Sequence, residues 1–121
     1  MKTNKFRSLF MVAALLGSLL TAGLTKVAVA QDYRIYRVEA FSTRTFHVSY
    51  GRGETAEVAI IGDGDNDLDI YVYDSAGRLV TYNEGDADQE YVRWRASYSG
   101  KYKVKIVNRG HVWSKFAILW R

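Results

Sequence analysis

Five of the chain's thirteen carboxylates lie in one short stretch, Gly62 to Asp74, with the sequence GDGDNDLDIYVYD. Carboxylate oxygens are ligands that Ca²⁺ prefers in proteins. Carboxylates this close together also repel one another unless a cation or water screens them. The stretch therefore predicts an acidic rim that binds calcium, at the edge of a small β-domain.

A β-hairpin is expected directly after this stretch. Ser75, Ala76 and Gly77 fit a three-residue loop whose last residue is left-handed, a conformation that glycine adopts without steric cost. If Asp74 lies opposite Arg78, the register of both strands follows. The predicted opposed pairs are Val72 with Val80, Tyr71 with Thr81, and Asp69 with Asn83.

This hairpin would return a second acidic segment, residues 84–88, to the end where the first one lies. The EF-hand is rejected, because Leu68 stands where that loop needs glycine. A calcium-binding β-roll needs several stacked repeats and the chain has one. A solvated acidic turn without a metal stays open as the alternative. The predicted metal ligands are Asp63, Asp65, Asp67, Asp69, Asp86 and Asp88.

Residues 67–74 alternate in the period of a β-strand, which divides them between two faces. Leu68 and its apolar alternates belong to the core, and the carboxylates and tyrosines to the opposite face. Tyr71 and Tyr73 would form an exposed aromatic strip there, suited to binding a polysaccharide or an extended polypeptide. Tyrosines on outer sheet faces also serve cross-strand packing alone, so this second interpretation stays open.

The chain offers little for catalysis. His47 and His111 are its only histidines, it has no cysteine, and neither histidine lies in a metal-binding spacing or a nucleophile motif. Each histidine is expected to be a structural or surface residue in or beside a strand. We therefore expect no enzyme and no cofactor other than the calcium ion.

The first thirty residues have the pattern of a signal peptide. Lys2, Lys5 and Arg7 form a basic head, an apolar run follows, and Ala30 ends a small-x-small site for signal peptidase. The run lies at the lower edge of the ~17–25 residues that span a membrane, so cleavage is favoured over a retained anchor. We expect export to the periplasm or beyond, as one domain covering residues 31–121, with no membrane span after cleavage.

Export also changes the charge of the chain. The whole sequence carries 17 basic and 13 acidic side chains, a net charge of +4. Four of the bases precede residue 31 and no acid does, which leaves 13 of each in the mature domain. A neutral domain whose bases alternate with apolar residues argues against nucleic-acid binding.

The mature region predicts strands almost throughout and no helix of ordinary length. In residues 101–106 three lysines alternate with core residues, which indicates a solvated face that also protects a sheet edge. The fold class is an antiparallel, jelly-roll-like β-sandwich of about eight strands. Five aromatic residues are expected in its core: Trp94, Trp113, Trp120, Tyr102 and Phe116. The predicted strands are 33–40, 45–50, 55–61, 68–74, 78–82, 90–96, 101–108 and 112–120.

Two motifs together resemble the bacterial pre-peptidase C-terminal domain family. These are Asp67-Leu68-Asp69 with the Asp74-x-x-Gly77 hairpin, and the later Gly100-x-Tyr102 strand. The resemblance implies a jelly-roll sandwich of a kind usually appended to secreted peptidases, with relatives that bind calcium or collagen. It extends the calcium role to Asp67 and Asp69. No peptidase precedes this copy, so a role as a processed tail does not carry over.

These observations favour an exported, non-enzymatic binding or accessory module that engages an extracytoplasmic protein or polysaccharide. The alternative is a structural envelope protein that self-associates into homo-oligomers through exposed tyrosines and lysine-lined edges.

Overall fold

The computed structural model describes residues 33–64, 67–85 and 89–121, and the predicted signal peptide lies outside these ranges. The described residues form strands and connections, and they include no helix that could cross a membrane. All eight predicted strands are present, with ends shifted by one or two residues. The strands are β1 (Tyr33–Val38), β2 (Thr43–Tyr50), β3 (Thr55–Gly62), β4 (Leu68–Tyr73), β5 (Leu79–Asn83), β6 (Gln89–Arg95), β7 (Gly100–Asn108) and β8 (Ser114–Trp120).

The strands form two four-stranded sheets packed as a sandwich. Sheet A has the order β1-β8-β3-β6 and sheet B the order β2-β7-β4-β5, and every pairing between neighbours is antiparallel. This order is that of a jelly roll, in which consecutive strands other than β4 and β5 lie in opposite sheets. The predicted fold class is confirmed.

The core includes the apolar residues that alternate with polar ones along β4 and β7. Leu68, Ile70, Val72, Val104 and Ile106 are each 0% exposed. Each such aliphatic side chain contributes about 1.5–3 kcal/mol on burial. The predicted strand parity is therefore correct.

The predicted register of the β4–β5 hairpin holds only at the turn. The Asp74 amide donates to the Arg78 carbonyl, and Gly77 has φ 82°, as the three-residue loop requires. A register shift after Tyr73 then places one extra residue on β5. The prediction is wrong beyond this bulge, because an inserted residue moves each later partner by one position. The observed pairs are Val72 with Thr81, Tyr71 with Tyr82, and Ile70 with Asn83.

The strand that carries the three lysines is not at an edge. β7 lies inside sheet B and pairs with β2 on one side and β4 on the other. The predicted protection of an edge by these lysines is wrong, since hydrogen bonds to two neighbours already satisfy the backbone of β7.

The outer face of sheet A differs from that of sheet B. In β3 and β8 apolar residues follow one another without alternation, so both faces of these strands are apolar. Ile35 is 60% exposed on this outer face and lies beside Ala117, which in turn pairs with Ile61. Antiparallel sheets with one solvated face normally alternate, as β7 does.

Four of the five aromatics expected in the core pack there. Trp94, Tyr102 and Phe116 are buried, and Trp120 is partly buried against them. Trp113 is the exception: it precedes β8, lies in a loop, and is 43% exposed. The prediction for Trp113 is wrong because β8 begins two residues later than its apolar sequence suggested.

Candidate functional site at the loop end

The four connections β1–β2, β3–β4, β5–β6 and β7–β8 all leave the sheets at the same end of the sandwich. We call this end, with residues 39–42, 63–67, 84–88 and 109–113, the loop end. The opposite end, with residues 51–54, 74–78 and 96–99, is the turn end. The described parts of both acidic segments, residues 63–64, 67 and 84–85, lie at the loop end.

Arg109 joins the two acidic connections. Its backbone amide donates to the Asp67 carbonyl at 3.0 Å, and its Nε donates to Asp69 Oδ2 at 2.5 Å. Its Nη2 lies 3.8 Å from a Glu84 carboxylate oxygen. The Asp69 side chain is only 3% exposed, whereas that of Arg109 is 51% exposed. The protein therefore supplies its own cation to a buried carboxylate that sequence reasoning assigned to calcium.

Tyr71 extends this network across the outer face of sheet B. Its hydroxyl accepts a hydrogen bond from Arg109 Nη2 at 2.6 Å and donates one to Glu84. Its ring stacks on that of Tyr82, with centroids 6.1 Å apart. Desolvation, followed by the hydrogen bond to Glu84, raises the pKa of Tyr71. The hydrogen bonds to Asp69 and then to Tyr71 raise the pKa of Arg109, so its charge is permanent.

Tyr73, the other predicted ligand-binding tyrosine, is half-buried on the same face. The Lys105 ammonium lies 5.2 Å from the centre of its ring. Each of the two predicted tyrosines thus packs against a side chain of a neighbouring strand, Tyr71 against Tyr82 and Tyr73 against Lys105. This is the cross-strand packing that the sequence analysis kept as the alternative to ligand binding.

The other predicted metal ligands are only partly described. Asp63 accepts from Ser114 Oγ at 3.2 Å and from the Lys115 amide at 3.0 Å, so it fixes the start of β8. Asp69 Oδ1 is buried without a hydrogen-bond partner among the described residues. Within those same residues, no three acidic or imidazole side chains are grouped to hold a metal ion. Three of the six predicted ligands lie outside them: Asp65, Asp86 and Asp88. Calcium binding stays a prediction.

Asn108 organises the other half of the loop end. It is 0% exposed, and its Nδ2 donates to the carbonyls of Glu39 at 3.1 Å and Val112 at 2.9 Å. Its Oδ1 accepts from the Gly110 amide at 2.8 Å. One buried amide side chain thus ties the β1–β2 connection to the β7–β8 connection. Two consecutive residues, Asn108 and Arg109, hold all four loops.

The loops held by Asn108 display apolar side chains to solvent. Phe41 is 66% exposed, Val112 52% and Trp113 43%, and we call these three residues the apolar tip. Phe41 has φ 52°, a left-handed conformation that is rare for a bulky residue, and its amide donates to the Gly110 carbonyl. Its ring packs edge-on against His111, with centroids 5.0 Å apart.

Sequence reasoning missed the apolar tip and its two supporting residues. Residues 108–110, Asn-Arg-Gly, follow a clear strand and indicate a turn, but that pattern does not show which loops the turn contacts. Trp113 follows Val112, and only two residues separate it from the apolar residues of β8, so the sequence predicts that it belongs to that strand. A sharper signal was available in the charges, since Arg109 is the only lysine or arginine in the four loops.

The two ends of the sandwich carry different charge. In sequence, the four connections of the loop end carry seven carboxylates against one guanidinium, a net charge of −6, and three of the seven lie outside the described residues. The turn end has two acids and two bases and is neutral. Because residues 31–121 are neutral overall, the compensating positive charge lies on the strands and chain termini. One of these strand residues contacts the apolar tip, since the Arg37 guanidinium lies 4.1 Å from the centre of the Trp113 ring.

Comparison with known proteins shows a likeness of fold. No protein-family model matches the chain, and no curated protein sequence matches it. The pre-peptidase C-terminal domain of a collagenase from Bacillus anthracis aligns with TM-score 0.60 and 6% identity, over 73% of this chain and 88% of that domain. The Yersinia pseudotuberculosis-derived mitogen aligns with TM-score 0.54 and 13% identity, over 73% and 81%. Aeromonas hydrophila PliG, a periplasmic inhibitor of g-type lysozyme, aligns with TM-score 0.52 and 14% identity, over 74% and 84%.

The predicted resemblance to pre-peptidase C-terminal domains is thus confirmed for the fold. At these identities the likeness carries no residue roles, since one sandwich fold supports unrelated functions.

Proposed function

We propose that this protein is an exported, non-enzymatic binding module whose loop end binds a cationic surface of an extracytoplasmic protein. The observation that carries the proposal is the apolar tip: three large apolar side chains that are exposed on two loops tied to each other by a buried asparagine. Buried aromatic anchors surrounded by polar residues are the usual centre of a protein–protein interface.

The conformation of Phe41 supports this role. A left-handed backbone costs a non-glycine residue about 1–2 kcal/mol. Here that cost comes with a side chain that is two-thirds exposed and contributes little to folding. A partner that buries Phe41 would account for both features. Fixing the loops in advance also lowers the entropy cost of binding.

The charge of the loop end supports a cationic partner. The four connections carry seven carboxylates and one guanidinium in sequence, an excess that would steer a basic surface toward this end and disfavour an acidic one. The fold has a precedent for binding an enzyme, since PliG is described as an inhibitor of g-type lysozyme. The two histidines support a non-enzymatic role, because each is exposed and neither forms an ion pair among the described residues.

The proposal is tested by photo-crosslinking from the tip in the native envelope or secreted fraction. A photoreactive phenylalanine analogue at position 41 should give one discrete adduct, and the same analogue at Tyr98 should not. Tyr98 is a matched control, because it is an aromatic residue at the turn end with 58% exposure. Adducts of equal yield from both positions, or from neither, would contradict the proposal.

The affinity for the crosslinked partner then provides a quantitative test. Phe41→Ser and Trp113→Ser should each weaken binding at least tenfold, the effect of losing a hot-spot residue. Tyr98→Ser should change it less than twofold. Added salt should slow association, since the steering is electrostatic.

Self-association is a second candidate, and the outer face of sheet A favours it. Ile35 and Tyr33 are 60% and 38% exposed there, beside apolar residues of β8 and β3. Light scattering with size-exclusion chromatography tests this candidate. A dimer that Ile35→Lys converts to a monomer would support it, and a wild-type monomer at high concentration would exclude it.

A further inference from the structure

A row of three lysines crosses the middle of sheet B on its outer face. Lys101, Lys103 and Lys105 alternate along β7, so neighbouring Cα atoms in the row are about 6.7 Å apart. β7 is an interior strand, paired with β2 and β4, and needs no charged residues to prevent edge pairing. Like charges this close on one face repel one another to the extent that water, salt or a ligand does not screen them.

No carboxylate of the described residues forms an ion pair with the lysine row. All five ion pairs among the described residues use arginine, and none uses lysine. The acids of the same face have their own partners: Asp69 and Glu84 share Arg109, and Asp74 pairs with Arg78. Three positive charges are therefore left for a ligand.

The surroundings of the lysine row are polar and include a depression. Across the strand pairs, Lys101, Lys103 and Lys105 lie opposite Ser49, His47 and Thr45 of β2. Beside Lys101 and Lys103 is a depression of about 390 Å³, which His47 and the turn at residues 74–77 also line. An anionic group of a polymer would find ammonium, imidazole and hydroxyl groups on one surface.

We infer that the lysine row binds an anionic polysaccharide, one bearing carboxylate or sulfate groups. The hydroxyl-bearing side chains of β2 suit a sugar polymer. A single-stranded nucleic acid would instead need free aromatic faces on which bases stack. Here Tyr71 already stacks on Tyr82, and Lys105 lies over Tyr73. This site lies on a sheet face, apart from the apolar tip, and takes a ligand of opposite charge.

Affinity electrophoresis of the purified protein tests the inference, with polygalacturonate, heparin or neutral dextran in the gel. Both anionic polymers, or one of them, should retard the wild-type protein, and dextran should not. Which polymer acts distinguishes carboxylate from sulfate recognition. Replacing Lys101, Lys103 and Lys105 by Gln should raise the dissociation constant at least tenfold, and replacing them by Arg should largely preserve binding.

A second triple variant controls for net charge. Arg52→Gln, Arg95→Gln and Lys115→Gln remove the same three charges outside the face of the lysine row, and binding should change less than twofold. Equal losses in both triple variants would overturn the inference, because net charge alone would then explain binding. Retardation by single-stranded DNA as strong as that by the polysaccharides would also overturn it, and so would no retardation by either anionic polymer.

Discussion

Two Asp–Arg pairs flank β4, one at each end of the sandwich, and they differ in almost every physical respect. At the turn end, Asp74 and Arg78 are four residues apart and meet within one hairpin, with Arg78 65% exposed. At the loop end, Asp69 and Arg109 are forty residues apart, and Asp69 is buried. The first pair closes a local turn. The second connects strands β4 and β7 and positions the loops that carry the proposed function.

The local pair also has a different set of hydrogen bonds. Asp74 Oδ1 accepts from the amides of Ala76 and Arg78, so the carboxylate caps its own turn. Asp69 has only the guanidinium of Arg109 on Oδ2, and its Oδ1 has no partner among the described residues. Because the Asp69 charge is buried with one cationic partner among the described residues, the stability of the fold depends on Arg109.

The largest expected effect comes from removing that partner. Arg109→Met should lower the free energy of unfolding by about 2–3 kcal/mol, somewhat less than for a fully buried pair because Arg109 is half exposed. Arg78→Met should leave the denaturation midpoint almost unchanged, since Arg78 is mostly exposed and Asp74 keeps the hydrogen bonds from two backbone amides. Urea denaturation of both variants checks this difference. Adding Asp69→Asn to Arg109→Met should recover part of the loss, and no recovery would show that burial of the charge is not the cause.

Asn108 provides the next test of the loop end. Asn108→Ala removes three hydrogen bonds from a fully buried amide, at about 0.5–1 kcal/mol each, and should destabilise the protein by about 2 kcal/mol. At the turn end, Ser75→Ala removes an exposed bond to the Lys101 carbonyl and should cost less than about 0.5 kcal/mol. Hydrogen exchange should show faster opening of residues 39–42 and 109–113 in Asn108→Ala only. Equal exchange in both variants would contradict the assigned role.

Calcium would sharpen the comparison of the two ends. If the acidic rim binds Ca²⁺, a free concentration ten times the dissociation constant adds about 1.4 kcal/mol to stability. The melting temperature should rise saturably, and by more than matched ionic strength produces. The calcium-dependent rise should shrink in Asp67→Asn and Asp69→Asn and persist in Asp74→Asn. Melting curves that coincide in EDTA and in millimolar Ca²⁺ would leave the rim as a solvated acidic turn.

The smallest effect concerns acid pH at the turn end. The hydrogen bond from the Arg78 amide lowers the pKa of Asp74 below its ordinary value of 3.8; desolvation opposes this shift, and the positive charge of Arg78 supports it. A carboxylate with a lowered folded pKa adds stability that is present above the unfolded pKa and is lost as pH falls through the folded one. Wild type should therefore lose its small advantage over Asp74→Asn as the pH falls below about 4. A stability difference that stays constant from pH 6 to pH 2 would contradict this.

Features that depend on neighbouring residues could be predicted from the amino-acid sequence. Alternation along β4 and β7 placed Leu68 and Val104 in the core, because successive side chains in a strand point to opposite faces. The Asp74–Gly77 turn followed from the left-handed conformation that glycine supplies. Eight strands without an intervening helix pattern predicted the sandwich, and the likeness to pre-peptidase C-terminal domains followed from two short motifs.

The contacts between residues far apart in the chain could be seen only in the folded protein. The bulge in β5, the interior position of β7 and the contact of Arg109 with Asp69 depend on how strands pair across the sheets, and local sequence does not encode that pairing. The same holds for Asn108, which contacts loops far apart in the chain, and for Trp113, whose exposure depends on where β8 begins. The sequence therefore predicted an acidic rim, and long-range packing places the apolar tip at the same end of the sandwich.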